Sequence, residues 1–270
     1  METNETKAVL FFDIDMTLTD PVEHLVPESA VRAIRKAQEN GHLCFVNTGR
    51  PYTHIDPCVL EIPFDGLVCG CGVQLRLREP DGSYAIVYDV HPSPEVQREI
   101  RDTARASRIP AVYEDDSGIY YDGEVPVSEA SQREHARLVA MGVPGSTDVY
   151  REDFRFAKFL IDEGEGEVYE KFLELTDRNF FRVPRGGFYE CVPIGCTKGT
   201  GLEHVMERFG AGRVSYAFGD SPNDLEMLSH ADVAVVMGNG MDSVKAHADF
   251  VTKAIDDDGI AYALEHFGLV

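Results

Sequence analysis

Apolar positions along this chain follow two periods in turn. The unbroken run Ala8-Val9-Leu10-Phe11-Phe12 is β-branched and aromatic, the pattern of a parallel strand buried on both faces. Helical spacing follows over residues 27–40, where Ala30, Val31, Ile34 and Ala37 share a face. Pro27 suits the first turn of that helix and Gly41 its stop. A second strand is expected over 42–46, a further helix start at Pro51, and a third strand over 65–68. Strand, helix, strand, helix, strand predicts a parallel sheet with right-handed crossovers.

The middle of the chain has another texture. Leu75, Leu77, Asp81-Gly82, Ala85 and Val87 predict a hairpin over 74–90. A helix is expected over 94–107, then a polar, tyrosine-rich stretch over 113–127 broken by glycine and proline. A strand over 154–161, a helix over 165–177 and short strands over 180–192 complete a segment of α+β character. The first texture then returns, with helices over 197–209, 222–228 and 242–248 and strands over 214–218 and 233–237. The expected class is α/β: a parallel-sheet core formed by residues 1–86 and 189–270, with an α+β cap inserted over 87–188.

Charge narrows the partners. The chain has 25 basic and 47 acidic residues, a net charge of −22. Such a surface repels phosphate backbones, so no nucleic-acid partner is expected. The six cysteines form no Cys-x-x-Cys pair and read as buried free thiols rather than a zinc site. The polar N-terminus lacks a signal-peptide layout, and no segment approaches the roughly 20 apolar residues of a membrane span. The expectation is a cytoplasmic protein with no membrane partner, a monomer or homodimer.

Candidate chemistry sits where core strands end. Asp13 and Asp15 follow the first strand on alternate positions, at the sheet end where open α/β folds place their sites. Carboxylates this close are costly unless a cation or a shared proton relieves them. Thr48-Gly49-Arg50 follows the second strand. A hydroxyl and backbone amides opening a helix can seat a phosphate, although Thr-Gly is also ordinary turn chemistry. Lys198 lies in the first turn of a predicted helix, whose partial positive charge disfavours it; it is either a solvated surface lysine or the partner of something anionic. Asp220 and Asp224, with Ser221, Pro222 and Asn223, follow the 214–218 strand. They read as a turn and N-cap, or as oxygen ligands for a hard cation.

The order Asp13-x-Asp15, Thr48-Gly49-Arg50, Lys198, Gly219-Asp220-x-x-Asn223-Asp224 resembles the haloacid dehalogenase superfamily. The tail through Met237-Gly238-Asn239-Gly240 and Asp258-Gly259-Ile260-Ala261 is similar to its Cof-type subgroup, class IIB, with a C2-type cap. The resemblance implies a Rossmann-like three-layer core and a phosphatase acting through an aspartyl-phosphate. It makes Asp13 the nucleophile and Asp15 the general acid and base. Thr48 and Lys198 would hold the phosphoryl oxygens, and Asn223 would help orient the site. Mg²⁺ would sit on Asp13, the Asp15 main-chain carbonyl, Asp220 and Asp224. The implied substrate is a small phosphorylated metabolite, first of all a sugar phosphate, with Gly49, Arg50 and, from the cap side, Arg182 and Arg185 as further contacts. A sugar phosphomutase and a non-catalytic phosphometabolite sensor are the rivals. Two departures stand out: Met16 replaces the family's usual glycine, and Cys69-Gly70-Cys71-Gly72 stands where Asn-Gly is usual.

Overall fold

A computed structural model describes residues 7–20, 22, 24–184 and 187–270. The chain divides into two compact units, one of residues 1–49, 55–89 and 197–270, the other of 50–54 and 90–196. The second break lies at 196/197, later than the 188/189 expected, because the strand Phe188–Pro193 belongs by pairing to the smaller unit.

In the larger unit the strands are β1 (Ala8–Phe12), β2 (Leu43–Asn47), β3 (Gly66–Cys69), β4 (Gln74–Arg78) and β5 (Tyr84–Asp89). Those of the smaller unit are β6 (Ala111–Asp115), β7 (Gly118–Tyr121), β8 (Gly145–Ser146), β9 (Lys158–Asp162), β10 (Phe180–Pro184) and β11 (Phe188–Pro193). The larger unit resumes with β12 (Val214–Gly219), β13 (Val233–Val236) and β14 (Phe250–Val251).

Among the described residues the larger unit holds one eight-stranded sheet in the order β14-β13-β12-β1-β2-β3-β4-β5. It is parallel from β14 to β3, and the hairpin β4–β5 adds two antiparallel strands at one edge. Every residue of β1 is buried, as its apolar run requires. Phe11, Phe45, Val68, Leu202, Val205 and Met227 join one side of this core, tying sheet to helices. From β1 the chain moves to β2 and β3 on one side, and from β12 to β13 and β14 on the other. The strand order therefore reverses between β1 and β12, and the carboxyl ends of these strands form the crevice where such sheets bind ligands. The register is fixed by Phe12 opposite Phe218, whose rings stack at 4.7 Å.

The smaller unit has a six-stranded sheet in the order β10-β11-β9-β6-β7-β8, antiparallel except for β7–β8. The polar, tyrosine-rich stretch expected over 113–127 takes in the end of β6 and all of β7. Tyr113 and Tyr120 are buried among Phe156, Phe159 and Phe180, so their ring area is core while their sequence neighbours look like surface. Helices Pro94–Ala106 and Glu167–Thr176 contribute to that face, while Val112, Ile119 and Val127 meet Leu138 of helix Glu129–Ala140 on the other. That last helix and the C-terminal helix Gly259–His266 come in addition to the elements expected from the sequence. None of the six cysteines is in a disulfide; five are buried and Cys58 partly so. Among the described residues no helix is long and apolar enough to cross a membrane.

Candidate active site

Asp13 is the first residue beyond β1, and its amide donates to the Phe218 carbonyl at 3.0 Å, which keeps it in line with β12. The chain then turns sharply, the amides of Thr17, Leu18 and Thr19 all donating to the Ile14 carbonyl. This turn separates the two aspartates: Asp13 is 3% exposed, whereas Asp15 lies at the surface.

The second acidic group is built by β12. The Asp224 carboxylate folds back on its own turn, Oδ2 accepting from the Asp220 and Ser221 amides at 2.9 and 3.0 Å. Asn223 accepts from the Ser221 hydroxyl and braces the same turn. Thr17, fully buried, donates its hydroxyl to Asp220 Oδ1 at 3.2 Å.

Lys198 is not a surface lysine. It is 2% exposed, and its Nζ donates to Asp13 Oδ1 at 2.5 Å and Asp224 Oδ1 at 2.7 Å. Its helix opens with a capping box, in which Thr197 and Thr200 satisfy each other's amides. Asn47 at the end of β2 donates to the Lys198 carbonyl at 2.8 Å, and Thr48, 1% exposed, follows it. Gly72 lies against Thr197: a Cβ there would stand 2.2 Å from the Thr197 carbonyl oxygen, and its φ is +83°. The Cys69-Gly70-Cys71-Gly72 loop thus lets β3's exit pack on the start of the lysine helix.

The electrostatics is unbalanced. Asp13, Asp220 and Asp224 each offer a carboxylate oxygen within 4.8 Å of the others. Burial pushes Asp13 up to about 8 and Asp220 up to about 7, with the Asp224 charge adding to both and Lys198 opposing. Burial alone would lower Lys198, but Asp13 and Asp224 together hold it firmly protonated. One lysine thus faces three clustered carboxylates, and burial and mutual repulsion penalise the charge it leaves uncompensated. A hard divalent cation among these oxygens would balance the cluster, so the donor set fits Mg²⁺.

Gly49 closes the first segment of the larger unit, while Arg50 belongs to the smaller one and donates to the His54 carbonyl at 3.0 Å. Arg182 makes a bidentate pair with Asp177, at 2.7 and 2.9 Å. Arg185 lies outside the described residues. Sequence reasoning missed Thr17, Asn47 and Asn239. The Asn239 amide donates to the Met16 carbonyl at 2.8 Å, and its oxygen accepts from the Ile255 amide at 2.8 Å. The signal for each is a small polar residue one or two positions from a motif carboxylate or hydroxyl, or inside the Gly-Asn-Gly turn.

Met16 has φ +61°, the left-handed region that glycine enters freely. That conformation costs a non-glycine residue roughly 1–2 kcal/mol, and glycine's added unfolded-state freedom returns part of it. Met16→Gly is therefore expected to raise the thermal midpoint by about 1–3 °C. A lower midpoint by calorimetry would show that the Met16 side chain contributes more packing than strain.

A family model described as haloacid dehalogenase-like hydrolase matches residues 10–264. The chain is 26% identical over 275 residues to the 5-amino-6-(5-phospho-D-ribitylamino)uracil phosphatase YitU of Bacillus subtilis (strain 168), covering 98% of this chain and 100% of that protein. Among solved structures, the phosphatase-superfamily member BT1666 from Bacteroides thetaiotaomicron superposes with a TM-score of 0.81 at 25% identity, covering 100% of this chain and 98% of that one. BT4131, described as a haloacid dehalogenase subclass IIB sugar phosphatase, gives 0.78 at 26% identity over 98% and 100%.

Proposed function

This chain belongs to the haloacid dehalogenase-like hydrolase family, and from that premise we propose a Mg²⁺-dependent phosphatase that transfers phosphate from a small metabolite to Asp13 and then to water. The observation that carries the reading is Lys198 Nζ, buried and bridging Asp13 and Asp224 beside Asp220. Asp13, the Asp15 main-chain carbonyl, Asp220 and Asp224 would hold the ion. When bound, the ion supplies charge neutralisation for the transferring phosphoryl group.

The chain's own groups divide the work. An Asp13 carboxylate oxygen attacks phosphorus as the bond to the leaving oxygen breaks, and the Asp15 carboxyl gives that oxygen its proton. Asp15, now a carboxylate, takes a proton from water as the water oxygen attacks phosphorus and releases Asp13 and inorganic phosphate. Its surface position suits a group that exchanges protons, and a positioned acid–base group supplies roughly 10²–10⁴-fold. Lys198 and the Thr48 hydroxyl hold the phosphoryl oxygens, with the Gly49 amide beside them. Asn223, tied to Ser221, keeps the Asp220–Asp224 turn in place. Since one structural neighbour is a sugar phosphatase, a sugar phosphate is the first substrate class to try.

Phosphate release from an aryl phosphate, with and without Mg²⁺, tests the reading. Release is expected only with the ion. Mg²⁺ at about 100 times its dissociation constant should also add roughly 2.7 kcal/mol to stability, and Asp220→Asn should remove most of that gain. Metal-independent release, or an unchanged Mg²⁺ gain in the variant, would contradict it.

A further inference from the structure

The smaller unit contains a cavity of about 450 Å³, within the range of small-ligand sites. Its floor is the face of the sheet opposite the aromatic core. There Val112 pairs with Leu160, Glu114 with Ile119, and Asp162 with Phe188. Val127, Ser128 and Ser131 form a wall where helix Glu129–Ala140 begins.

Most of the polar groups are already engaged. Ser128 caps the helix, its hydroxyl accepting from the Ser131 amide at 3.2 Å and lying 3.0 Å from the Ser131 hydroxyl. Glu114 pairs through Oε2 with Lys158 at 3.0 Å and faces His54 Nδ1 across 3.9 Å through Oε1. Lys158 in turn holds Glu190 at 2.6 Å. Asp162 differs. Among the described residues no lysine or arginine pairs with it; burial raises its pKa, and the Ser128 amide opposes that only in part.

A carboxylate beside Val112, Ile119, Val127, Leu160 and Phe188 repels anions and gives a polyol few partners for its hydroxyls, which costs binding energy. A protonated amine on an apolar body meets both demands, with Phe188 available to a ring or a cation. We propose that this cavity binds a small apolar amine, its ring packed between Leu160 and Phe188 and its ammonium on Asp162. Binding is read without turnover, so the site stands or falls independently of the phosphatase reading.

The chain contains no tryptophan, so Phe188→Trp places a single reporter on the cavity floor. Titration with phenethylamine is expected to give a saturable emission change, with at least tenfold weaker binding of phenethyl alcohol and none of phenylacetate. Asp162→Asn in the same background should erase the amine's advantage over the alcohol. Isothermal titration of the unaltered chain with phenethylamine repeats the measurement without the reporter. Equal affinity for amine and alcohol, or an amine preference that survives Asp162→Asn, overturns the proposal. So does the absence of saturable amine binding to the unaltered chain.

Discussion

Asp13→Asn is expected to lower kcat/KM for an aryl phosphate by about 10⁴-fold or more, a barrier increase of at least roughly 5.4 kcal/mol. An amide oxygen can still accept from Lys198, but it cannot form the covalent intermediate, so the loss should appear in the chemical step. The same substitution is expected to leave stability equal or higher. Asp13 is 3% exposed, and burial and the Asp224 charge both disfavour its ionised form. Removing that charge relaxes the cluster without leaving the lysine alone, since Asp224 remains on Nζ. An inactive protein with an undiminished urea midpoint is the signature of a site that holds strain for chemistry. Retained Mg²⁺-dependent hydrolysis by this variant would sink the nucleophile assignment.

Lys198→Met should do the opposite to stability. The lysine is the cation that two buried carboxylates share, and removing one partner of such a pair costs about 3–5 kcal/mol. Turnover should fall by about 10²–10³-fold, the scale seen when one donor to a developing phosphoryl or oxyanion charge is lost. Saturating Mg²⁺ is expected to restore part of the stability and little of the activity, because an ion can neutralise carboxylates but not occupy the ammonium's place on the phosphoryl oxygens. Urea unfolding with and without Mg²⁺, alongside kcat/KM, separates the two effects. Unchanged stability would mean that the carboxylates are relieved by some other group.

What the sequence made legible followed from period and punctuation. β1 lies over Ala8–Phe12 as the apolar run requires, and the hairpin turns at Asp81-Gly82 between β4 and β5. Asp13, Lys198, Asp220 and Asp224 converge because each ends a core strand or opens a core helix, and the order of those elements is readable from texture. Lys198 taken in isolation reads two ways. Its unfavourable place at a helix N-terminus is resolved only by carboxylates 26 and 185 residues away in the chain. The smaller unit was harder to read. Tyr113 and Tyr120 look polar locally yet lie in the aromatic core, and the cross-strand ion pairs of Lys158 with Glu114 and Glu190 leave no local trace. Thr17, Asn47 and Asn239 were missed because their work is to hold other groups, through contacts with partners distant in sequence.

The reaction course is tested most directly by acid-quenching an Asp15→Asn protein during turnover of an aryl phosphate with Mg²⁺. A good leaving group needs no proton from residue 15, so phosphate should reach the enzyme. Without a base to activate water, it should then stay there. Peptide mapping is predicted to find covalent phosphate on the peptide containing Asp13, accumulating to a larger fraction than in the unaltered protein. Steady release of phosphate with no phosphorylated peptide, or phosphate on a residue other than Asp13, would contradict the assignment.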